Sequence, residues 1–194
     1  MKKPLILLAA LPLAGCISFG AKPPESLLTL DGAASVPVGQ AQTATGAATV
    51  TVAAPAVPQS LATARIPVQV TPTSVAYVED AQWTEPPARL FARLLGDTIT
   101  ARTGRVVLTT AQSVADPGAR LGGELRRFGL DAATREAVVT YDAQLVRNEA
   151  ATVEKRRFEA RVAIGGEIGA ATAGTSLSAA ANQVAAEVAD WVGR

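Results

Sequence analysis

Apolar residues in this chain alternate over three long stretches and recur at helical spacing over two others. Val139, Tyr141, Ala143 and Leu145 fall on one side of an extended segment, with Thr140, Asp142 and Gln144 on the other. Phe158, Ala160, Val162 and Ile164 likewise oppose Arg157, Glu159 and Arg161. A period of two with one apolar side predicts strands buried on one face. Residues 120–130, 136–147 and 154–164, separated by turn residues such as Asp131 and Asn148, therefore read as an antiparallel meander.

Leu90, Phe91, Leu94, Leu95 and Ile99 form a stripe that predicts a helix over 88–102. Pro86 and Pro87 suit its start and Gly104 its end. Leu177, Ala181, Val184, Val188 and Trp191 mark a second helix over 176–192. That stripe suits either a partner coil or a helix laid on its own sheet, and three half-buried strands require a cover. Shorter β runs are expected at 26–30, 66–70, 75–78 and 106–109, with Pro67 pointing to an edge strand or a strand start. The expected fold class is α+β, a mostly antiparallel sheet covered by two amphipathic helices, preceded by a flexible N-terminal region.

Between Asp31 and Arg65 no charged residue occurs, and Ala, Thr, Val, Gly, Pro and Gln dominate. Such a stretch buries little, so 31–64 reads as a low-complexity insert. Its Thr49-Val50-Thr51-Val52 run is the exception, able to pair as an edge strand.

The N-terminus has a different logic. Lys2 and Lys3 precede the uncharged residues 4–13, a run too short to span a bilayer, which takes ~20 apolar residues. Positive charge, a short apolar run and then small residues is the order of a signal peptide. Leu13-Ala14-Gly15-Cys16 resembles the lipobox of bacterial lipoproteins, in which the Cys16 thiol receives diacylglycerol and the chain is cut before it. Residues 1–15 are thus the expected signal peptide, 16–25 a tether and 26–194 a single domain. More than one acyl chain gives stable anchoring, and palmitate is among those expected.

Composition narrows the chemistry. Cys16 is the single cysteine, and there is no histidine. No disulfide framework, Ser-His or Cys-His pair can form, and the commonest metal ligands are missing. We expect no enzyme, no metal, and no cofactor apart from the covalent lipid. Without Lys2 and Lys3, 16 basic side chains face 17 acidic ones, which is no footprint for nucleic acid. Gly122-Gly123 and Gly165-Gly166 match no phosphate-binding motif and read as strand flexure or turns. Glu79, Asp80 and Glu85 are the carboxylates a hydrolase would use, although a solvated loop explains them as well. Lys155-Arg156-Arg157 reads as a solvated strand face or as a dock for an acidic protein. Tyr77, Trp83, Glu85 and Pro86 gather before the first helix as a candidate partner interface, with Trp83 plugging the core as the competing reading.

Several of these residues carry a family resemblance. Ile66-Pro67-Val68, Val75-Ala76-Tyr77-Val78, Trp83-Thr84-Glu85-Pro86 opening a helix, Leu28-Thr29-Leu30 and Arg127-Phe128 resemble the ABC-type transport auxiliary lipoprotein family, the PqiC/YmbA-like lipoproteins. Thr84 stands where that family more usually has Ala. The resemblance implies an accessory lipoprotein of an MCE-type ABC lipid transport system. It would be lipid-anchored at the periplasmic face of the outer membrane, with an MCE-domain protein as partner and homo-oligomer formation compatible with a collar around it. Ile17 after the cysteine fits outer-membrane sorting. The alternative is an envelope assembly lipoprotein that partners an outer-membrane barrel or another envelope complex.

Overall fold

A computed structural model describes residues 26–43, 49–112, 118–147 and 152–194. The expected signal peptide, Cys16 and the expected tether lie outside the described residues, as does the turn expected at Asn148.

Seven strands make one sheet: β1 (Thr49–Val52), β2 (Arg65–Thr71), β3 (Ser74–Gln82), β4 (Val106–Thr109), β5 (Ala119–Asp131), β6 (Glu136–Arg147) and β7 (Thr152–Ala163). Helix α1 (Pro87–Thr103) lies between β3 and β4, and α2 (Ala170–Val192) closes the chain. The α+β class is as expected, and the meander β5-β6-β7 runs antiparallel with Leu125 opposite Tyr141 and Tyr141 opposite Phe158. The sheet is mixed rather than mostly antiparallel, because β1 pairs in parallel with both β4 and β5, and β2 in parallel with β5.

The difference arises at β5. One of its edges takes β6 along nearly its whole length. Its other edge is shared by pieces of the N-terminal half: β1 beside 119–121, Ala56 beside Glu124, and β2 beside Leu130 and Asp131. Between these pieces, Ala53 N–H donates to the Leu121 carbonyl (2.9 Å) and Leu125 N–H to the Ala56 carbonyl (2.9 Å). Thr49–Val52 is consequently no edge strand, being flanked by β4 and β5, and Val50 and Val52 join the core. The uncharged segment expected to bury little supplies this strand and the buried Leu61.

Strand β2 is likewise interior, between β3 and β5, despite Pro67. A register shift between Arg65 and Pro67 accommodates the missing N–H. Gly129 makes room for it, since a Cβ there would collide with the Pro67 carbonyl oxygen. The strand expected at 26–30 shrinks to one bridge, Leu28 with Trp83.

Both helices cover the same sheet face. Leu90, Phe91, Leu94, Leu95 and Ile99 of α1 are all buried, as are Leu177, Ala181, Val184, Val188 and Trp191 of α2, so α2 covers its own sheet. Its alanines (Ala173, Ala180, Ala181, Ala185, Ala189) are fully buried and let it lie close to its neighbours. Helix α2 begins six residues before the expected start, because Ala170 to Thr175 lack the large apolar residues that periodicity needs. For α1, Pro87 occupies the first turn and Gly104, at φ 68°, ends the helix with its N–H on the Thr100 carbonyl (2.9 Å). Arg102 binds both carboxylate oxygens of Asp190 at 2.7 and 2.9 Å, joining the C-terminal ends of the helices. An edge-to-face aromatic chain fills the centre: Trp83 to Phe128 at 5.6 Å, Phe128 to Phe91 at 6.5 Å, Phe91 to Tyr141 at 5.3 Å.

Outside the helices the chain makes a strap. Leu28 donates its N–H to the Gln82 carbonyl (2.8 Å) and accepts from Thr84 N–H (2.8 Å). Asn182 of α2 then grips the next turn, its Nδ2 on the Asp31 carbonyl (2.7 Å) and its Oδ1 accepting from Ala33 N–H (2.7 Å).

Candidate functional site

Five positions of α1 that face away from its apolar stripe, Arg89, Arg93, Gly96, Asp97 and Thr100, border a groove of about 710 Å³. Its floor is apolar, with Val52 of β1 and Val107 of β4, and Val36 of the strap forms part of the opposite wall. The groove exists because α1 covers the β1-β4 end of the sheet only partly. Gly96 permits the helix to approach, its position lying against the Val107 side chain. Charge concentrates on one rim. Glu85 is ion-paired with Arg93, and Arg89 has no ion-pair partner among the described residues. Partial burial raises the Asp97 carboxyl above the usual carboxylate range, with the Arg93 charge opposing it. An apolar floor with a few charges on the rim is the build of a recognition groove.

The candidate interface residues are placed differently. Trp83 is 1% exposed and packs on Phe128, so it plugs the core and does not offer its ring to a partner. Its Nε1 is buried without a hydrogen-bond partner among the described residues. Tyr77 is half-buried on β3 under the Arg65 guanidinium, 3.9 Å from ring centre to Cζ. Pro86 precedes the first turn of α1. Only Glu85 of the four borders the groove.

The hydrolase candidates are dispersed as well. Glu79 and Asp80 are exposed residues of β3 and do not line the groove that Glu85 borders. Asp80 adopts φ 49° where β3 is irregular, a conformation Asp tolerates better than most residues. Among the described residues, no three Asp, Glu, His or Cys side chains gather to hold a metal ion.

On the sheet face away from the helices, charges pair across strands. Arg157 binds both oxygens of Asp142 at 2.6 and 2.7 Å, and Arg126 approaches Asp142 at 3.5 Å. The hydrogen bond from Arg157 is the main reason the Asp142 carboxyl lies below its usual range. Burial pushes Glu159 up, but hydrogen bonds from Thr140 (2.8 Å) and Arg161 (2.8 Å) outweigh it and leave the group lowered. Lys155-Arg156-Arg157 is therefore no single basic patch: Arg157 is neutralised by Asp142, and Arg156 sits on the other face over the Phe158 ring at 4.9 Å. The glycine pairs are structural. Gly123 has φ +139°, and a Cβ there would collide with the Asp142 carbonyl. Gly166, at φ +87°, accepts a hydrogen bond from Arg135 in the turn between β7 and α2.

Sequence reasoning found Glu85 but missed Arg93, Asp97 and the strap. A usable signal was present: positions 89, 93, 97 and 100 repeat at spacings of four, four and three, opposite the apolar stripe.

The described residues form a mixed sheet roofed on one face by two helices, with a groove on α1, and none of their helices is long and apolar enough to cross a membrane. The chain belongs to the family of ABC-type transport auxiliary lipoprotein components, whose model matches residues 28–189. That membership makes it an accessory lipoprotein of ABC-type transport, a membrane-anchored envelope protein whose partner is a transporter. In fold it is similar to the crystal structure of protein XCC0632 from Xanthomonas campestris, with a TM-score of 0.69 and 19% identity over 86% of this chain and 93% of that one. A second solved structure, titled only as an uncharacterized protein, gives a TM-score of 0.65 at 15% identity over 76% of this chain and 94% of its own. No curated protein matches by sequence.

Proposed function

We propose that the chain is an accessory lipoprotein of an MCE-type ABC lipid transport system, anchored through acyl groups on Cys16 to the periplasmic face of the outer membrane. It acts there as a non-enzymatic docking subunit for the MCE-domain partner. The observation that carries this reading is the family match over 28–189, which takes in the strap, the whole sheet and nearly all of α2. The lipobox at Leu13-Ala14-Gly15-Cys16 supplies the anchor. The rim of the α1 groove supplies a surface of suitable chemistry, an apolar floor beside the Glu85–Arg93 pair and the unpaired Arg89. Affinity purification of the tagged protein from detergent-solubilised envelopes tests the reading. An MCE-domain protein should be recovered, and its yield should fall at least several-fold when Arg89 and Arg93 are both changed to Glu. Recovery of outer-membrane barrels without any MCE protein would instead establish the envelope-assembly alternative.

A further inference from the structure

The strap fixes where on the fold the described N-terminal residues lie. Leu28 lies against Gly174, near the start of α2, where a Cβ would approach its Cδ2 to 3.1 Å. Asp31 lies further along the same helix, its carbonyl held by Asn182 at 2.7 Å and by Ser178 at 3.3 Å. The strap therefore follows α2 in the helix's own N-to-C direction, which puts its start, at Ser26 and Leu27, toward the N-terminal end of α2. Eleven residues separate Cys16 from Leu28. Fully extended, they reach ~40 Å, so a lipidated Cys16 holds Leu28 within that distance of the bilayer.

Three connections meet at that end. Ile164 N–H donates to the Arg135 carbonyl (2.9 Å), joining the β7-α2 connection to the β5-β6 turn. Ala132 N–H donates to the Gln69 carbonyl (2.9 Å), joining that turn to the β2-β3 hairpin. The hairpin tip carries no charge: every residue from 70 to 76 is exposed, in the sequence Val-Thr-Pro-Thr-Ser-Val-Ala, of which Val70, Pro72, Val75 and Ala76 are apolar. Val70 is 46% exposed and Val75 44%, and Leu27, at the start of the strap, is 51% exposed. These are three of the five large apolar side chains exposed among the described residues. Ion pairs occur at both ends, Arg127–Asp131 and Arg161–Glu136 behind the tip and Arg102–Asp190 and Arg147–Glu154 at the opposite end, so the uncharged stretch is the tip itself.

We propose that this end is a bilayer-contacting surface. The β2-β3 tip, with Val70, Pro72 and Val75, rests in the interfacial region of the membrane that holds the Cys16 lipid, and the opposite end of the sheet points away toward the partner. The lipid anchor, the place where the described chain begins and the exposed uncharged tip together select a phospholipid surface as the occupant. Contact of a few valines adds weakly to an acyl anchor, so its effect is orientation more than affinity.

The proposal rests on the lipid-anchor part of the proposed function, and one experiment separates the two. The mature lipidated protein carrying Val75→Cys is labelled with a nitroxide, which finds only the introduced thiol because that of Cys16 is acylated. It is reconstituted in phosphatidylethanolamine/phosphatidylglycerol vesicles, and collision with oxygen and with a soluble nickel chelate is compared by power saturation. Val153→Cys, on an exposed site of β7 at the opposite end, is the control. The ratio of oxygen to nickel collisions should be several-fold higher at position 75 than at 153. Equal ratios, or a higher one at 153, overturn the orientation while leaving the anchor standing. Absence of an acyl mass on Cys16 in the same preparation overturns both.

Discussion

The two edges of β5 hold their neighbours by different means. Along one edge, β6 and then β7 follow in sequence order, with residue-by-residue antiparallel register broken by a single bulge between Leu125 and Arg127. Along the other, β1, Ala56 and β2 attach as separate short pieces, each bringing one to three paired residues. The meander is specified by alternation, since any slip by one residue would turn Tyr141 outward and Asp142 inward. The stitched edge is specified by shape: Gly129 under Pro67, Trp83 on Phe128, and Leu28 between Trp83 and Gly174. A fold of this kind should be robust where its pairing is local and sensitive where it depends on a few close approaches.

The largest effect is expected from Trp83→Ala, which removes a fully buried ring from the junction of strap, β3 and core. Loss of a large aromatic typically costs about 3–5 kcal/mol, readable as a lowered midpoint in urea. Phe158→Ala on the meander should cost a comparable amount, and equal values would narrow the contrast to backbone contacts alone. Gly129→Ala comes next, because its methyl meets the Pro67 backbone; overpacking of this sort costs ~1–3 kcal/mol. Gly165→Ala, with nothing within 4 Å of the added carbon, should be near neutral and serves as its control. Asn182→Ala releases the strap at a cost of ~1 kcal/mol, and amide exchange at Ala33 should accelerate while that of β6 is unchanged. The smallest effect belongs to the exposed charge ladder, where Asp142→Ala should cost at most ~1 kcal/mol.

The ladder also gives a pH dependence of known sign. Hydrogen bonds from Arg157 to Asp142, and from the Thr134 amide to Asp131, lower both carboxyls in the folded state. Their contribution is therefore complete above the unfolded carboxylate pKa, about 3.9, and is lost as pH falls through the lower folded values. Asp97 acts in the opposite sense, because burial raises its carboxyl and folding weakens as it ionises. Urea midpoints from pH 7 to pH 2 should thus fall less steeply in Asp142→Asn than in the parent. Asp97→Asn should leave stability at pH 7 equal or slightly higher.

The same contrast explains what could be read from sequence. The meander and both helices were legible because each carries a period of its own, and the ends of β6 and the core stripe of α1 follow from it. The stitched edge was not, because nothing local in Thr49–Val52 says that it enters the sheet between β4 and β5. Parallel pairing joins residues far apart in sequence, and Pro67 points to an edge that the register shift and Gly129 make unnecessary. For the site, Glu85 was found through its neighbours, but the groove needs α1, β4 and the strap together. Trp83 shows the limit of composition: a rare aromatic in a charged segment suits an interface and a core plug equally until its packing is known.

Docking of an MCE-domain partner at the α1 groove can be read by photo-crosslinking in intact cells. A benzophenone amino acid is placed at Arg89, on the groove rim, and in parallel at Lys155 on the far sheet face. The account predicts a crosslinked adduct containing an MCE-domain protein from position 89 and little or none from position 155. Adducts from position 89 that contain other envelope proteins and no MCE-domain protein would contradict it.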